Sequence, residues 1–411
     1  MDSLLATQGK TWAEIERALD EAARDDCDEV HGRLTLYSLK GSREVQEVAQ
    51  KAYAKFFAHN ALLARGMPSV RRFEAEVLQT CLGLLGGGPD AKGTITSGGT
   101  ESIYCALHAI REWARANKPE ATAPEVVAPY SAHAAFTKGC HYLGMTLTRV
   151  PLGPDYRADP AAMEAAIGPQ TVALVGSAPG WPHGLYDPIA ELAELAGSRG
   201  LWMHSDACVG GYLAPFVRKL GYPIPEFDLR VPGVCSLSAD LHKYGYAPKP
   251  CSTILYRSAD LHGYQPIYVD WPTGRYVSDG FIGSRPAGAI AAAWAVLQFL
   301  GEEGYLDLAR QTMRVKERLA AGIDAIPGLR AWRNELSLLV YGSDTLDVKA
   351  IASGMTERGW FVMGTKEPEL MHLTCDPVGD EVIDLYLSDL RQVAEEVRRG
   401  ALDQAGSLGY A

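Results

Sequence analysis

Val234-Cys235-Ser236-Leu237-Ser238-Ala239-Asp240-Leu241-His242-Lys243-Tyr244-Gly245-Tyr246-Ala247-Pro248-Lys249 is the stretch that decides the fold. Its first five residues alternate as a short strand, and the aromatic, glycine and proline residues after Lys243 exclude a long regular helix. Lys243 therefore sits where a strand ends and the backbone turns. A lysine enclosed in an apolar turn gives up its proton and forms a Schiff base more readily than a hydrated surface lysine does. Most lysines are surface charges, but two aromatics, a glycine and a preceding histidine favour the enclosed reading here.

The same pattern of a short strand followed by a turn or helix recurs outward from this stretch. Gly93–Thr96 precedes helical spacing over Thr100–Ala116, and Val126–Ala128 precedes a short helix near Ala132; further strands are expected at Thr146–Val150, Thr171–Ser177, Leu201–Asp206 and Ser252–Tyr256. Such alternation predicts an α/β fold with a mostly parallel central sheet covered by helices, its ligands beyond the carboxyl ends of the strands. Upstream, Thr11-Trp12-Ala13-Glu14 reads as a capping box at the head of a helix, and Val45–Leu63 and Arg71–Leu85 carry helix-spaced apolar residues. Downstream, helical stretches over Pro286–Leu300 and Tyr305–Ile326, strands at Leu336–Tyr341 and Glu369–Cys375 and a last helix over Asp380–Arg399 make a smaller C-terminal α+β domain. The expected division is a helical arm over 1–60, a large domain over 61–290 and a small domain over 291–411.

Bulk properties narrow the function classes. Apolar residues make up 47% of the 411 and charged residues 22%, an ordinary globular balance. The net charge of -11 argues against a nucleic-acid or anionic-membrane surface. Eight scattered cysteines without a C-x-x-C pair fit a reducing cytoplasm. Ala287–Leu300, the longest apolar run, is too short to span a bilayer, so no membrane insertion is expected.

Four candidate positions fall at the ends of different elements. Thr96-Ser97-Gly98-Gly99-Thr100-Glu101-Ser102 places glycines at a helix start, where free backbone amides and the helix dipole hold a phosphate, with Gly99 and Thr100 at the contact. His133 is flanked by small residues that leave room for a flat ring. Asp206 closes a strand among apolar neighbours, where only a cationic partner keeps a carboxylate ionised. Each alone is weak; a cap, a core histidine and a turn aspartate are the ordinary readings. With Lys243 they fit one ligand, pyridoxal 5'-phosphate: phosphate on Gly99 and Thr100, ring over His133, ring nitrogen on Asp206, aldehyde on Lys243, and a further hydrogen bond from His242. No histidine, cysteine or carboxylate spacing predicts a metal site.

With these residues in view the chain resembles the group II pyridoxal-phosphate decarboxylase family, over residues 30 to 395. The most specific stretches are Thr96–Ser102, Ser177-Ala178-Pro179 with Asp187-Pro188-Ile189, Asp206-Ala207-Cys208-Val209-Gly210-Gly211, Ser238–Lys249 and Gly283-Ser284-Arg285-Pro286. The resemblance implies fold type I and a homodimer with a shared active site, to which Gly283 and Ser284 of the partner subunit bring phosphate contacts. It also implies that Lys249 and Tyr37 face the substrate's phosphate end, with Asn60 and Tyr246 as further substrate-side candidates. Two departures stand out: Leu63 occupies a position where the family pattern has a histidine, leaving Arg65 to compensate, and Lys249 precedes Pro250 instead of glycine. The expected reaction is retro-aldol cleavage of a 2-amino-3-hydroxy compound, with Asp206 keeping the ring nitrogen protonated and Tyr244, Tyr246, Tyr268 or Tyr276 carrying protons. The alternatives are an amino-acid decarboxylase and a pyridoxal-phosphate-binding regulator without turnover.

Overall fold

The computed structural model describes residues 8–27, 33, 39–63, 65–332 and 335–402. Seven strands form the central sheet: β1 (Lys92–Thr96), β2 (Glu125–Pro129), β3 (Thr146–Val150), β4 (Thr171–Ser177), β5 (Trp202–Asp206), β6 (Val234–Ala239) and β7 (Ser252–Tyr256). They lie in the order β1-β7-β6-β5-β4-β2-β3. Only β7 runs against its neighbours. Helices cover both faces, which is why β4, β5 and β7 are buried along their whole length.

Register brings the chemistry to one edge. Ser177, the last residue of β4, pairs with Asp206, and Asp206 pairs with Ser238 near the end of β6. Because β7 is reversed, its first residue, Ser252, lies opposite Thr96 at the end of β1 on that same edge. Strand ends spread from Thr96 to Ser252 thereby converge.

The expected helices are present, with shifted ends. Glu14 Oε2 accepts from Thr11 N at 2.7 Å at the head of the Trp12–Ala22 helix, on which no residue is buried. A long helix over Ala287–Asp324 is interrupted at Gly301, whose φ of +54° only glycine adopts cheaply. Its residues through Met313 belong to the main core, and from Val315 onward they pack in a second core with the C-terminal elements. The packing thus changes partners inside this helix, between Met313 and Val315.

After β8 (Ile267–Trp271) and β9 (Gly274–Ser278), the C-terminal sheet joins β10 (Arg330–Ala331), β11 (Leu338–Gly342), β12 (Met363–Lys366) and β13 (Glu369–Thr374) in the order β10-β11-β13-β12, all antiparallel. Neither β12 nor the Val348–Glu357 helix is anticipated by the sequence pattern. A hairpin of β8 (Ile267–Trp271) and β9 (Gly274–Ser278) replaces what reads as a loop before Gly283. Neither of its faces is buried within the chain, so no apolar alternation marks it. Among the described residues no helix is long and apolar enough to cross a membrane.

Candidate active site

The converging strand ends surround a cavity of about 430 Å³ lined by Gly98, Gly99, Thr100, His133, Asp206, Asp240, His242, Lys243 and Lys249, among others. At its phosphate-holding end, β1 turns through Ser97 and Gly98 into the Gly99–Asn117 helix. Ser102 N donates to Gly98 O at 3.0 Å, so the amides of Gly99, Thr100 and Glu101 precede the helix's first internal bond and are left at its positive end. A Cβ at Gly99 would stand 2.9 Å from both Asp240 Oδ2 and Cys208 Sγ. Only glycine allows so close an approach.

Asp206 is held by a directed chain of hydrogen bonds. Its Oδ1 accepts from Cys208 N at 3.2 Å and from Ser238 Oγ at 3.0 Å. Ser238 Oγ is 3.3 Å from His204 Nε2, His204 Nδ1 is 2.8 Å from Ser236 Oγ, and Ser236 Oγ accepts from Trp202 Nε1 at 2.8 Å. An indole N–H only donates and an ionised carboxylate only accepts, so the two ends fix the direction throughout. Ser236 donates to Nδ1, and the proton of His204 sits on Nε2. Burial holds that imidazole neutral, its pKa pushed down to about 4. Every donor points toward Asp206 Oδ1, which leaves Oδ2 for a cationic N–H in the cavity.

Lys243 reaches the cavity from the turn after β6, as expected, but its surroundings differ from the apolar enclosure expected. Its Nζ lies 3.0 Å from Oδ2 of Asp240, a carboxylate only 3% exposed. Burial works against the ammonium, yet the Asp240 charge outweighs it and holds the lysine pKa above its ordinary value. The Asp240 carboxyl is correspondingly held low against its own burial, chiefly by Lys243. Asp240 Oδ1 also accepts from Ser252 Oγ at 2.5 Å, Ser252 Oγ is 2.8 Å from Ser102 Oγ, and Ser102 Oγ is 2.6 Å from Thr96 Oγ1. The lysine is thus ion-paired and backed by a buried hydroxyl chain. The sequence signal for Asp240 was its place three residues before Lys243.

His133 lies at the head of the Ala134–Leu143 helix, and its Nδ1 accepts from Ala135 N at 3.1 Å. The residue lines the cavity, and Nε2 carries the proton of the neutral imidazole. His242 Nδ1 accepts from Cys251 N at 3.4 Å, and its Nε2 lies 3.7 Å from Asp240 Oδ2. Asp240 shares this charge with Lys243.

Other expected residues are placed elsewhere. Gly283 and Ser284 are exposed and do not line the cavity formed by this chain's described residues. Asn60 Nδ2 donates to Ser284 Oγ at 3.0 Å and its Oδ1 accepts from Arg285 N at 3.1 Å, so the side chain is engaged with that segment. Tyr246 is buried and borders a second cavity next to the first. Tyr244 is buried with its hydroxyl donated to Cys375 O at 2.6 Å, outside the cavity lining. Tyr268 and Tyr276 stand on the exposed hairpin, Tyr268 under the Arg275 guanidinium at 4.5 Å. Leu63 and Arg65 are exposed and outside the cavity lining, and Tyr37 lies outside the described residues. Asp376, which sequence reading passed over, accepts from Lys40 N at 2.8 Å and Gly41 N at 3.3 Å and so anchors the segment whose Leu39 borders the cavity.

The donor set fits pyridoxal 5'-phosphate. A glycine cradle no side chain could occupy, an imidazole, a carboxylate oriented by a one-way hydrogen-bond chain and a lysine amine all line one space of suitable size. Comparison with known proteins agrees. The pyridoxal-dependent decarboxylase conserved domain matches residues 66–328. Sphingosine-1-phosphate lyase of Arabidopsis thaliana is 41% identical over 360 residues, which are 86% of this chain and 66% of that protein. This chain therefore spans about two thirds of that relative's length. A Methanothermobacter thermautotrophicus protein named "probable L-tyrosine/L-aspartate decarboxylase" is 33% identical over 84% of this chain and 94% of its own. The solved structure of a Burkholderia pseudomallei sphingosine-1-phosphate lyase superposes with a TM-score of 0.92 at 35% identity, covering 97% of this chain and 94% of that one. A shared domain over most of the chain, on a cleft built for the same ring, leads to one assignment: this chain belongs to the pyridoxal-dependent decarboxylase family, and pyridoxal 5'-phosphate is its cofactor.

Proposed function

We propose that the chain is a carbon–carbon lyase that cleaves a 2-amino-3-hydroxy compound bearing a phosphate and an apolar chain, such as a sphingoid base phosphate, into an aldehyde and an amine. The observation that carries this reading is a second cavity of about 770 Å³ that shares Leu39, His242 and Lys249 with the first. Ala49, Tyr53, Ala54, Phe57, Tyr246 and Pro248 give it an apolar wall, and Lys40 and Lys249 add cations. An amphiphile with an anionic end matches that lining. Similarity to the sphingosine-1-phosphate lyases supports the same class.

Pyridoxal phosphate supplies the electron sink that lets a bond at the amine-bearing carbon break. In this reading Asp206 Oδ2 would keep the ring nitrogen protonated, and the amides of Gly99 and Thr100 would hold the phosphate, with the proton-bearing edge of His242 on the same cavity wall. His133 supports the ring's face. Lys243 Nζ would be the amine that tethers the group, and Asp240 Oδ2, 3.0 Å away, would stabilise a proton on that amine.

We also read the active unit as a homodimer. Ile267, Tyr268, Val269, Trp271, Tyr276 and Val277 expose apolar surface on the hairpin just before Gly283 and Ser284, and a second copy covering it would bring those two residues toward a neighbouring cavity. The eight free cysteines favour the cytoplasm.

A second reading, L-amino-acid decarboxylation, has the Methanothermobacter thermautotrophicus relative in its favour. Incubating the loaded enzyme with a phosphorylated 2-amino-3-hydroxy alkane and with an amino-acid panel separates the two. Aldehyde released from the first is expected, whereas carbon dioxide from an amino acid without any aldehyde would replace the lyase by the decarboxylase.

A further inference from the structure

One buried carboxylate has no part in holding the ring or the lysine, yet it touches the cradle. Glu101, in the first turn of the Gly99–Asn117 helix, is 7% exposed. Its Oε2 accepts from Ser97 N at 2.7 Å, inside the phosphate-holding turn. Its Oε1 accepts from Phe281 N at 2.9 Å and Ile282 N at 3.3 Å, 180 residues further on. A Cβ at Gly280 would stand 2.9 Å from Oε1, so that glycine admits the carboxylate. The next two residues are Gly283 and Ser284. On their far side Asn60 holds Ser284 and Arg285, and Arg285 is paired with Glu74.

We propose that Glu101 is a positioning strut that locks the segment presenting Gly283 and Ser284 to the phosphate-holding turn, so that the cradle of one protomer sets the geometry that protomer offers to the partner's cofactor site. The inference rests on the shared-site dimer proposed above. A backbone amide donates, so each needs an acceptor, and Glu101 serves both segments. A carboxylate accepts on both oxygens. An amide does not: in Glu101→Gln one end becomes an NH₂ that faces either Ser97 N or the Phe281 and Ile282 amides, donor against donor.

The test uses hybrid dimers. One chain carries Lys243→Ala, so the only site able to bind pyridoxal phosphate through a lysine belongs to the other, wild-type chain. Adding Glu101→Gln to the Lys243→Ala chain leaves that working site's own cradle untouched and changes only what the mutant chain presents to it. We expect the dissociation constant of pyridoxal phosphate at the wild-type site, read by titrating its visible absorbance, to rise about tenfold, the effect of weakening one charge-assisted hydrogen bond. A loss confined to the mutant chain's own packing would not move this readout. Ser284→Ala placed in the Lys243→Ala chain is the control. If Ser284→Ala weakens the wild-type site and Glu101→Gln does not, the strut is refuted while the shared site stands. If neither does, the shared-site reading fails and the strut with it. Gly280→Ala, which crowds Glu101 Oε1 from the other side, is expected to reproduce the Glu101→Gln effect and serves if that variant does not fold.

Discussion

Replacing Asp240 by asparagine isolates the charge that holds Lys243. The two groups lie 3.0 Å apart. At an effective dielectric constant of about 20 their attraction is on the order of 5 kcal/mol. The lysine side chain is 31% exposed, so solvent screens part of this, and half is a reasonable remainder. At ~1.4 kcal/mol per pKa unit that remainder is about two units. Asparagine preserves shape and can still accept from Ser252, but it carries no charge. Burial then acts unopposed by Asp240, and the lysine pKa falls from above its ordinary value toward or below it. Only the neutral amine attacks an aldehyde. The assay is the pH dependence of pyridoxal phosphate capture by the cofactor-free protein, followed as growth of visible absorbance. In Asp240→Asn the apparent pKa of the capture rate should move down by about two units, and capture at neutral pH should be faster by as much as ~100-fold. An unchanged profile, or one moved to higher pH, would show that Asp240 does not set the charge on Lys243.

Three further outcomes follow from the same geometry. Gly99→Ala puts a methyl group 2.9 Å from Asp240 Oδ2 and Cys208 Sγ, and should weaken pyridoxal phosphate binding at least about tenfold with a stability loss of about 1–3 kcal/mol; equilibrium titration with thermal melting checks it, and wild-type affinity would remove the close approach from the account. Ser238→Ala breaks the one-way chain into Asp206 and leaves His204 Nε2–H facing a methyl group, which should cost about 1.5–3 kcal/mol of cofactor binding; Ser236→Ala, one link further back, should cost less, and the reverse order would refute the direction assigned. Burial raises Asp376 to about 7, so the folded protein binds its proton more tightly than the unfolded chain does. The stability this contributes is complete below pH 4 and is lost as pH rises through 7. Asp376→Asn should therefore match the parent near pH 4 and exceed it above pH 7 by up to ~4 kcal/mol in denaturant unfolding, and a pH-independent difference would contradict the shift.

Much of the scaffold was legible because strand and helix signals are local. The seven strands of the main sheet follow from alternation and flanking glycines and prolines within windows of about ten residues. The capping box at Thr11 and Glu14 is a four-residue pattern that closes on itself. Asp206 and Lys243 stand out in the sequence because one closes a strand and the other lies in the turn after one, and a parallel sheet brings such ends to one edge whatever the loops do. The β8–β9 hairpin escaped because neither face is buried within the chain, and a pattern that reports burial is silent without it.

What tertiary structure alone decided is the electrical state of the site. The sequence alone gives Lys243 an apolar setting, whereas the turn after β6 folds Asp240 back onto its amine. Ser252 reaches Asp240 only because β7 runs against its neighbours, and Trp202 and Ser236 act on Asp206 only through His204 and Ser238 on adjacent strands. Glu101 meets Phe281 across 180 residues. Residue order fixed which groups stand at strand ends; their charge and proton positions depend on partners a few ångströms away in space and far away in sequence, since hydrogen bonds and Coulomb forces act through space and carry no trace in local periodicity.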